Sequence, residues 1–142
     1  MSDDLQQASS FRPAAPAGEV TGLERLAAGV AHGAPFLGVP LLAPFLIWLL
    51  FPLLRPSPYV RHQAMQAVLF HLFAVILLTP LWAAAMALWY VILIGWPFAL
   101  PLTILAGVVS LWMGWVVLVA TWKALHGEAY RMPVVGGFTR VD

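Results

Sequence analysis

Apolar and polar positions fall in long blocks along this chain, not in the short alternations of a water-soluble domain. Residues 1–20 (MSDDLQQASSFRPAAPAGEV) mix Ala, Ser, Pro and Gln without an apolar period, and predict a disordered N-terminal tail that buries too little to offset its ordering entropy. Asp3 and Asp4, with no apolar stretch before Pro13, argue against a cleaved leader. Thr21-x-x-Glu24 is a capping-box pattern that opens a helix. Leu23, Leu26, Ala27, Val30, Ala31 and Ala34 then recur at helical spacing, with Glu24, Arg25, Ala28, Gly29, His32 and Gly33 on the other side. That pattern predicts a short interfacial helix or, alternatively, the polar beginning of a first span.

Phe36 to Leu54 is uncharged for 19 residues, enough to cross about 28 Å as helix, and reads as span one over 36–54. Pro40 and Pro44 suit a first helical turn, and Pro52 a kink or an end. A re-entrant hairpin bending through Pro35 to Pro44 is the alternative. The connector Arg55-Pro-Ser-Pro-Tyr-Val-Arg61 ends in an N-cap signal, Ser57 followed by Pro58. The helix that follows carries His62, Gln63 and Gln66, then turns apolar through Ile94, giving a span over 64–94. Gly95-Trp-Pro97 and Pro101 mark a turn, and a last span runs over 100–122. A break at Thr79-Pro80 instead of a kink makes four crossings.

Composition identifies the solvent of these blocks. Of the 142 residues 62% are hydrophobic and 9% charged, against roughly 25% charged in soluble domains. Residues 62–122, 61 positions, contain no Asp, Glu, Lys or Arg. As one helix they would extend about 92 Å, three times a hydrocarbon core of about 30 Å, so the chain must fold back. The predicted architecture is an all-α integral membrane helical bundle of three transmembrane helices, alternatively four, with a short N-terminal interfacial helix. It forms one domain over 21–138, and residues 139–142 are a tail. A net charge of +1 leaves no basic surface for nucleic acid. The absence of cysteine removes disulfides and thiolate chemistry. Three crossings put Arg55, Arg61, Lys123, Arg131 and Arg140 on one side and Arg25 on the other, which places the C-terminus in the cytoplasm. Trp96 and Trp122 are interfacial anchors.

Two groups of residues stand out within the apolar blocks. Ala106, Gly107, Ser110 and Gly114 make a small-residue stripe for close helix packing, against this chain's own second helix or a partner. Gln63, Gln66 and His71 fall within an arc of about 140° and need hydrogen-bond partners at depth, as a polar seam of interhelical bonds or a shallow hydrated cavity. His62 and His71 lie on opposite sides of one helix, so a metal site is not expected. Ala67-x-x-x-His71 followed by Trp82 resembles the pigment-ligating pattern of light-harvesting polypeptides, which implies tetrapyrrole binding through His71 as a minor alternative. No cofactor is expected otherwise. Glu24 and Glu128 lie in polar flanks, and Ser110 and Thr79 are isolated hydroxyls of the kind that bond backbone carbonyls, so no catalytic set is expected.

Several landmarks occur together: Glu24-Arg25 with Ala31-His32, Pro44 to Trp48, Val60-Arg-His-Gln-Ala-Met-Gln-Ala67, and Ala124-Leu-His-Gly-Glu-Ala-Tyr-Arg-Met-Pro133. In order and spacing they resemble the bacterial domain of unknown function related to the small plastid Tic translocon subunit. Relatives commonly carry a polar amide where this chain has His71. The resemblance implies a compact polytopic protein of the bacterial inner membrane, with plastid relatives in a preprotein-conducting machine. Two functional readings follow. The first is a non-enzymatic membrane protein acting by helix-helix association, as a homo-oligomer or a small accessory subunit, with the bilayer and other membrane subunits or itself as partners. The second is a translocation or channel component, whose sign would be a water-filled cavity reaching His71. Gly127 is expected to cap the last helix and Tyr130 to anchor it.

Overall fold

A computed structural model describes residues 20–91 and 95–136. Four α-helices follow in order: α1 (Gly22–Gly33), α2 (Leu42–Leu54), α3 (Pro58–Tyr90) and α4 (Trp96–Leu125), with a 3₁₀ turn (Ala34–Leu37) between the first two. The fold is all-α, as the sequence predicts. The expected tail over 1–20 and that over 139–142 lie outside the described residues, except Val20, which is buried.

Helix boundaries follow local signals. Both the backbone amide and the hydroxyl of Thr21 donate to the Glu24 carboxylate, at 2.8 and 2.6 Å, and open α1. The Ser57 hydroxyl accepts from the Val60 amide at 3.3 Å, with Pro58 in the first turn of α3. α4 starts at the Gly95-Trp-Pro97 turn. It ends at Gly127, whose φ of 78° is a left-handed conformation that a glycine adopts freely. There the Gly127 amide reaches the Ala124 carbonyl and the Glu128 amide reaches the Lys123 carbonyl, the pairing of a Schellman motif. Pro80 lies inside α3, which continues unbroken past it. The four-crossing division at Thr79-Pro80 is therefore not what forms.

α3 and α4 are about 50 and 45 Å long and are, among the described residues, the two helices long and apolar enough to cross a membrane. They form an antiparallel hairpin. The Tyr59 hydroxyl at the start of α3 donates to the Ala124 carbonyl near the end of α4, at 3.0 Å. Further along, Trp82 Nε1 donates to Ser110 Oγ at 3.2 Å and Trp89 Nε1 to Thr103 Oγ1 at 3.0 Å. These rungs tie the distal halves of the hairpin together.

The expected span over 36–54 is not realised as one helix. Its first third is the 3₁₀ turn and an irregular stretch, where Gly38 adopts φ 77°. α2 keeps only 13 residues, about 20 Å. The physical reason is the proline content of its entry: Pro35 and Pro40 cannot donate backbone hydrogen bonds, and each disfavours helix in the residue before it. α1 and α2 instead make a shorter antiparallel hairpin laid against α3 and α4. Glu24 at its start and Arg55 at its end face each other and Ser57. Its turn reaches the middle of α3 and α4, where Phe36 and Pro40 adjoin His71, Thr79 and Gly114.

α1 packs into the bundle by its small-residue face and not by its leucines. Glu24, Ala28, Gly29, Ala31 and His32 are buried, whereas Leu23 and Leu26 are 57% and 56% exposed. The small residues decide which face turns inward. A Cβ at Gly29 would stand 2.5 Å from the Leu125 side chain, and one at Gly33 3.6 Å from Thr121, so only this face allows α1 to approach α4 so closely. The same inversion holds for the whole molecule. The core is built of alanines, valines, Phe70 and Met132, together with the polar side chains of His32, Gln63 and Gln66. Leu111, Trp115, Phe98 and Tyr90 face outward.

Candidate functional site

The inverted core concentrates polar chemistry where α1, α3 and the segment after α4 meet. His32 Nε2 donates to Gln63 Oε1 at 2.8 Å, joining α1 to α3, and both side chains are fully buried. One turn further along α3, Gln66 faces a different partner. Its Oε1 accepts from the Met132 amide at 3.2 Å, and its Nε2 donates to His62 Nε2 at 2.8 Å. Because the Met132 amide fixes which end of the Gln66 amide is oxygen, His62 presents a lone pair at Nε2.

The expected seam of Gln63, Gln66 and His71 is thus divided. Gln63 serves α1, Gln66 serves the C-terminal segment, and His71 pairs with neither. His71 is 2% exposed and both ring nitrogens lack a hydrogen-bond partner. The carbonyls of Pro40 and His32 are close enough to act on the ring, but neither meets a ring nitrogen with hydrogen-bond geometry. The residue that sequence reasoning missed is His32, read there only as one of the residues opposite the apolar stripe of α1. The available signal was its position among Ala28, Gly29 and Gly33: an imidazole on a small-residue face has to be satisfied by the helix that approaches.

The small-residue stripe is split as well. Ala106 is buried, and Ser110 accepts Trp82 Nε1 while donating to the Ala106 carbonyl at 2.7 Å. A Cβ at Gly107 or Gly114 would meet nothing within 4 Å. Ala67, the small residue of the pigment-ligating pattern, is packed with Ala31 and Ala64 and lies apart from the cavity beside His71. That cavity is open, about 280 Å³ in volume, and lined almost wholly by carbon. Among the described residues no three His, Asp or Glu side chains come together to hold a metal ion.

Charge collects at one end of the bundle. Arg25 and Glu24 of α1 lie near Tyr59, Glu24 near Arg55, and Arg131 near His62. Lys123 pairs with Glu128 at 3.3 Å and stands 5.8 Å from the centre of the Tyr130 ring. The hydroxyl and backbone amide of Thr21, helped by the Ser57 hydroxyl, hold the Glu24 carboxyl down at about 2. A lowered folded pKa stabilises the fold above the ordinary carboxyl value, and this contribution disappears as pH falls from about 4.5 towards about 2. The thermal midpoint of the detergent-solubilised protein should therefore exceed that of Glu24→Gln by a few degrees at pH 7, and the gap should close through that window.

A second measurement addresses the C-terminal segment. Gln66→Leu leaves the Met132 amide buried without an acceptor, a cost of about 1–3 kcal/mol or about 3–10 °C in thermal midpoint. Met132 and Val135 pack against Phe70, Val116 and Val117, so the segment beyond Gly127 should become cleavable by added protease in Gln66→Leu. It should stay protected in Gln63→Leu, which loses only the contact to α1.

A model of the magnetosome magnetite crystal formation protein family (MamF/MmsF) matches residues 23–139. No curated protein and no solved structure matches the chain. The family match overturns the resemblance to the Tic-related domain. The stretches that carried the resemblance are those this fold requires for its own reasons. Val60 to Ala67 supplies the first turns of α3 and its two buried amides, and Ala124 to Pro133 the helix cap and the segment held by Gln66.

Proposed function

The chain belongs to the magnetosome magnetite crystal formation protein family, and on that premise we infer that it is an integral protein of a bacterial membrane that acts in crystal formation by assembling with other membrane helices, without catalysing a reaction. One observation carries the reading: the packing is inverted relative to a water-soluble protein. His32, Gln63 and Gln66 are enclosed, while Leu111 is 77% exposed and Trp115 66%. Enclosed polar pairs and an outward belt of Leu, Trp and Phe are stable where hydrocarbon is the surrounding solvent.

In that setting α3 and α4 cross the bilayer. The α1–α2 hairpin enters from the charged end, turns near the middle and returns on the same side. Arg25 then joins Arg55, Arg61, Lys123 and Arg131, and the imbalance of basic residues favours a cytoplasmic position for this end of the bundle. Among the described residues the far side receives the segment around Gly95, and no charged residue stands between Arg61 and Lys123 in the sequence. So little polar surface on that side favours action through neighbours in the membrane over direct contact with mineral. Gly107, open on the outer face of α4, is where a second helix would approach closely, whether from another copy or from a larger complex.

The test is a tagged chain in a magnetite-forming bacterium. It should co-purify with isolated magnetosomes, resist alkaline carbonate extraction and form a defined cross-linked adduct that Gly107→Leu weakens. Loss of the gene should alter crystal size. Release by carbonate would overturn the membrane assignment, and unchanged crystals with no adduct would overturn the assembly role.

A further inference from the structure

We propose that the cavity beside His71 binds a membrane-dissolved molecule with one apolar chain and a compact, uncharged, hydrogen-bonding head, of the kind found in long-chain alcohols, protonated fatty acids and isoprenoid quinones. The inference rests on the membrane reading above and specifies a site within it. The cavity of about 280 Å³ lies where the turn of the α1–α2 hairpin meets the middles of α3 and α4, close to the lower limit of ordinary ligand pockets. Phe36 and Val75 edge it and are 60% and 41% exposed, so its mouth opens sideways into hydrocarbon. A carbon-lined space in that position fills with a chain, since water has too few partners there.

Chain alone does not complete the site. His71 borders the cavity with both ring nitrogens unpartnered, a costly state in hydrocarbon. Both nitrogens are enclosed, near the carbonyls of Pro40 and His32, so the ring must turn about its Cβ–Cγ bond for a ligand head to reach them. A neutral imidazole offers one donor and one acceptor, which suits a hydroxyl, a carboxyl or a carbonyl. Thr79 borders the same space, whereas Ser110 is already engaged by Trp82 and the Ala106 carbonyl.

Depth distinguishes the ligand from an ordinary phospholipid. His71 is 13 residues beyond Pro58, about 20 Å along the helix from the charged end, and half a hydrocarbon core is about 15 Å. A phospholipid presents only methylene and methyl groups at that level, and leaves the imidazole unpaired. A single chain with a small head sinks far enough to pair with it.

The experiment uses the full chain in vesicles of phosphatidylcholine and phosphatidylglycerol. One probe is a long-chain primary alcohol with a diazirine near its hydroxyl; the other is a phosphatidylcholine with the diazirine at the end of one acyl chain. On photolysis the alcohol should label peptides covering residues 70–79 and 110–117 saturably, and excess unlabelled alcohol should compete. His71→Phe should reduce labelling about tenfold, the affinity equivalent of one buried hydrogen bond. Because His71→Phe alters packing, Gly114→Leu provides the second variant: its side chain enters the cavity from a position where a Cβ meets no atom within 4 Å. It should abolish labelling while the protein stays monodisperse. Non-saturable labelling, labelling retained in Gly114→Leu, or a phosphatidylcholine probe that labels saturably and displaces the alcohol would each overturn the proposal. Carbonate-resistant protein without saturable labelling condemns this site alone, whereas carbonate-extractable protein condemns the membrane reading.

Discussion

Single cysteines at Gly22 and at Glu128 are expected to react with a membrane-impermeant maleimide from the same side of the membrane, while one at Leu37 resists it from both sides. The chain has no cysteine of its own, so each variant reports one position. Gly22 begins α1 where a Cβ would meet no atom within 4 Å, and Glu128 follows the cap of α4 at the charged end. Leu37 lies in the turn of the α1–α2 hairpin and is 65% exposed, yet in a bilayer that exposure is to hydrocarbon, where a thiol neither ionises nor meets the reagent. A complete crossing over 36–54 predicts the opposite pattern: Gly22 and Glu128 on different sides, and Leu37 reactive from the side of Gly22. Reactivity of Leu37→Cys from either face would remove the half-depth hairpin.

Leu111→Lys is expected to reduce the yield of inserted, monodisperse protein by more than about tenfold. A lysine near the centre of a membrane helix costs about 2.5–3.5 kcal/mol on insertion scales. Leu111 lies midway along α4 with 77% of its surface outward, so no partner within the chain is available to offset the charge. Leu111→Ala at the same position should change little, because lipid refills the space the side chain leaves. In a water-soluble helix bundle the ranking reverses, since an exposed lysine there is harmless and an exposed leucine dispensable. The measurement is the ratio of membrane-fraction protein recovered for the two variants. Equal recovery would count against hydrocarbon as the surrounding solvent.

Both outcomes depend on a distinction that one sequence expresses unevenly. The all-α class, the helix starts at Thr21 and Ser57, the turn at Gly95-Trp-Pro97 and the cap at Gly127 are legible along the chain. Each is decided within a few residues, by a proline ring, a capping oxygen or a glycine at positive φ. The apolar block between Arg61 and Lys123 is equally legible, because charge density does not depend on the fold.

What the sequence left open is the inside of the bundle. In water the apolar face of a helix points to the core, and that rule would turn Leu23 and Leu26 of α1 inward, whereas both are more than half exposed. Where the exterior is apolar too, hydrophobicity no longer separates inside from outside, and the choice passes to close approach and to satisfaction of buried polar groups. Those are tertiary facts. The Gly29 contact with Leu125, the bond from His32 to Gln63 across 31 positions and that from Met132 to Gln66 across 66 exist only once the helices are assembled. Length and charge determined by themselves that this chain folds as apolar helices, and the prolines at the entry of its first apolar segment broke that segment; packing alone decided which faces turn inward and that His32 meets Gln63 and Gln66 meets the Met132 amide.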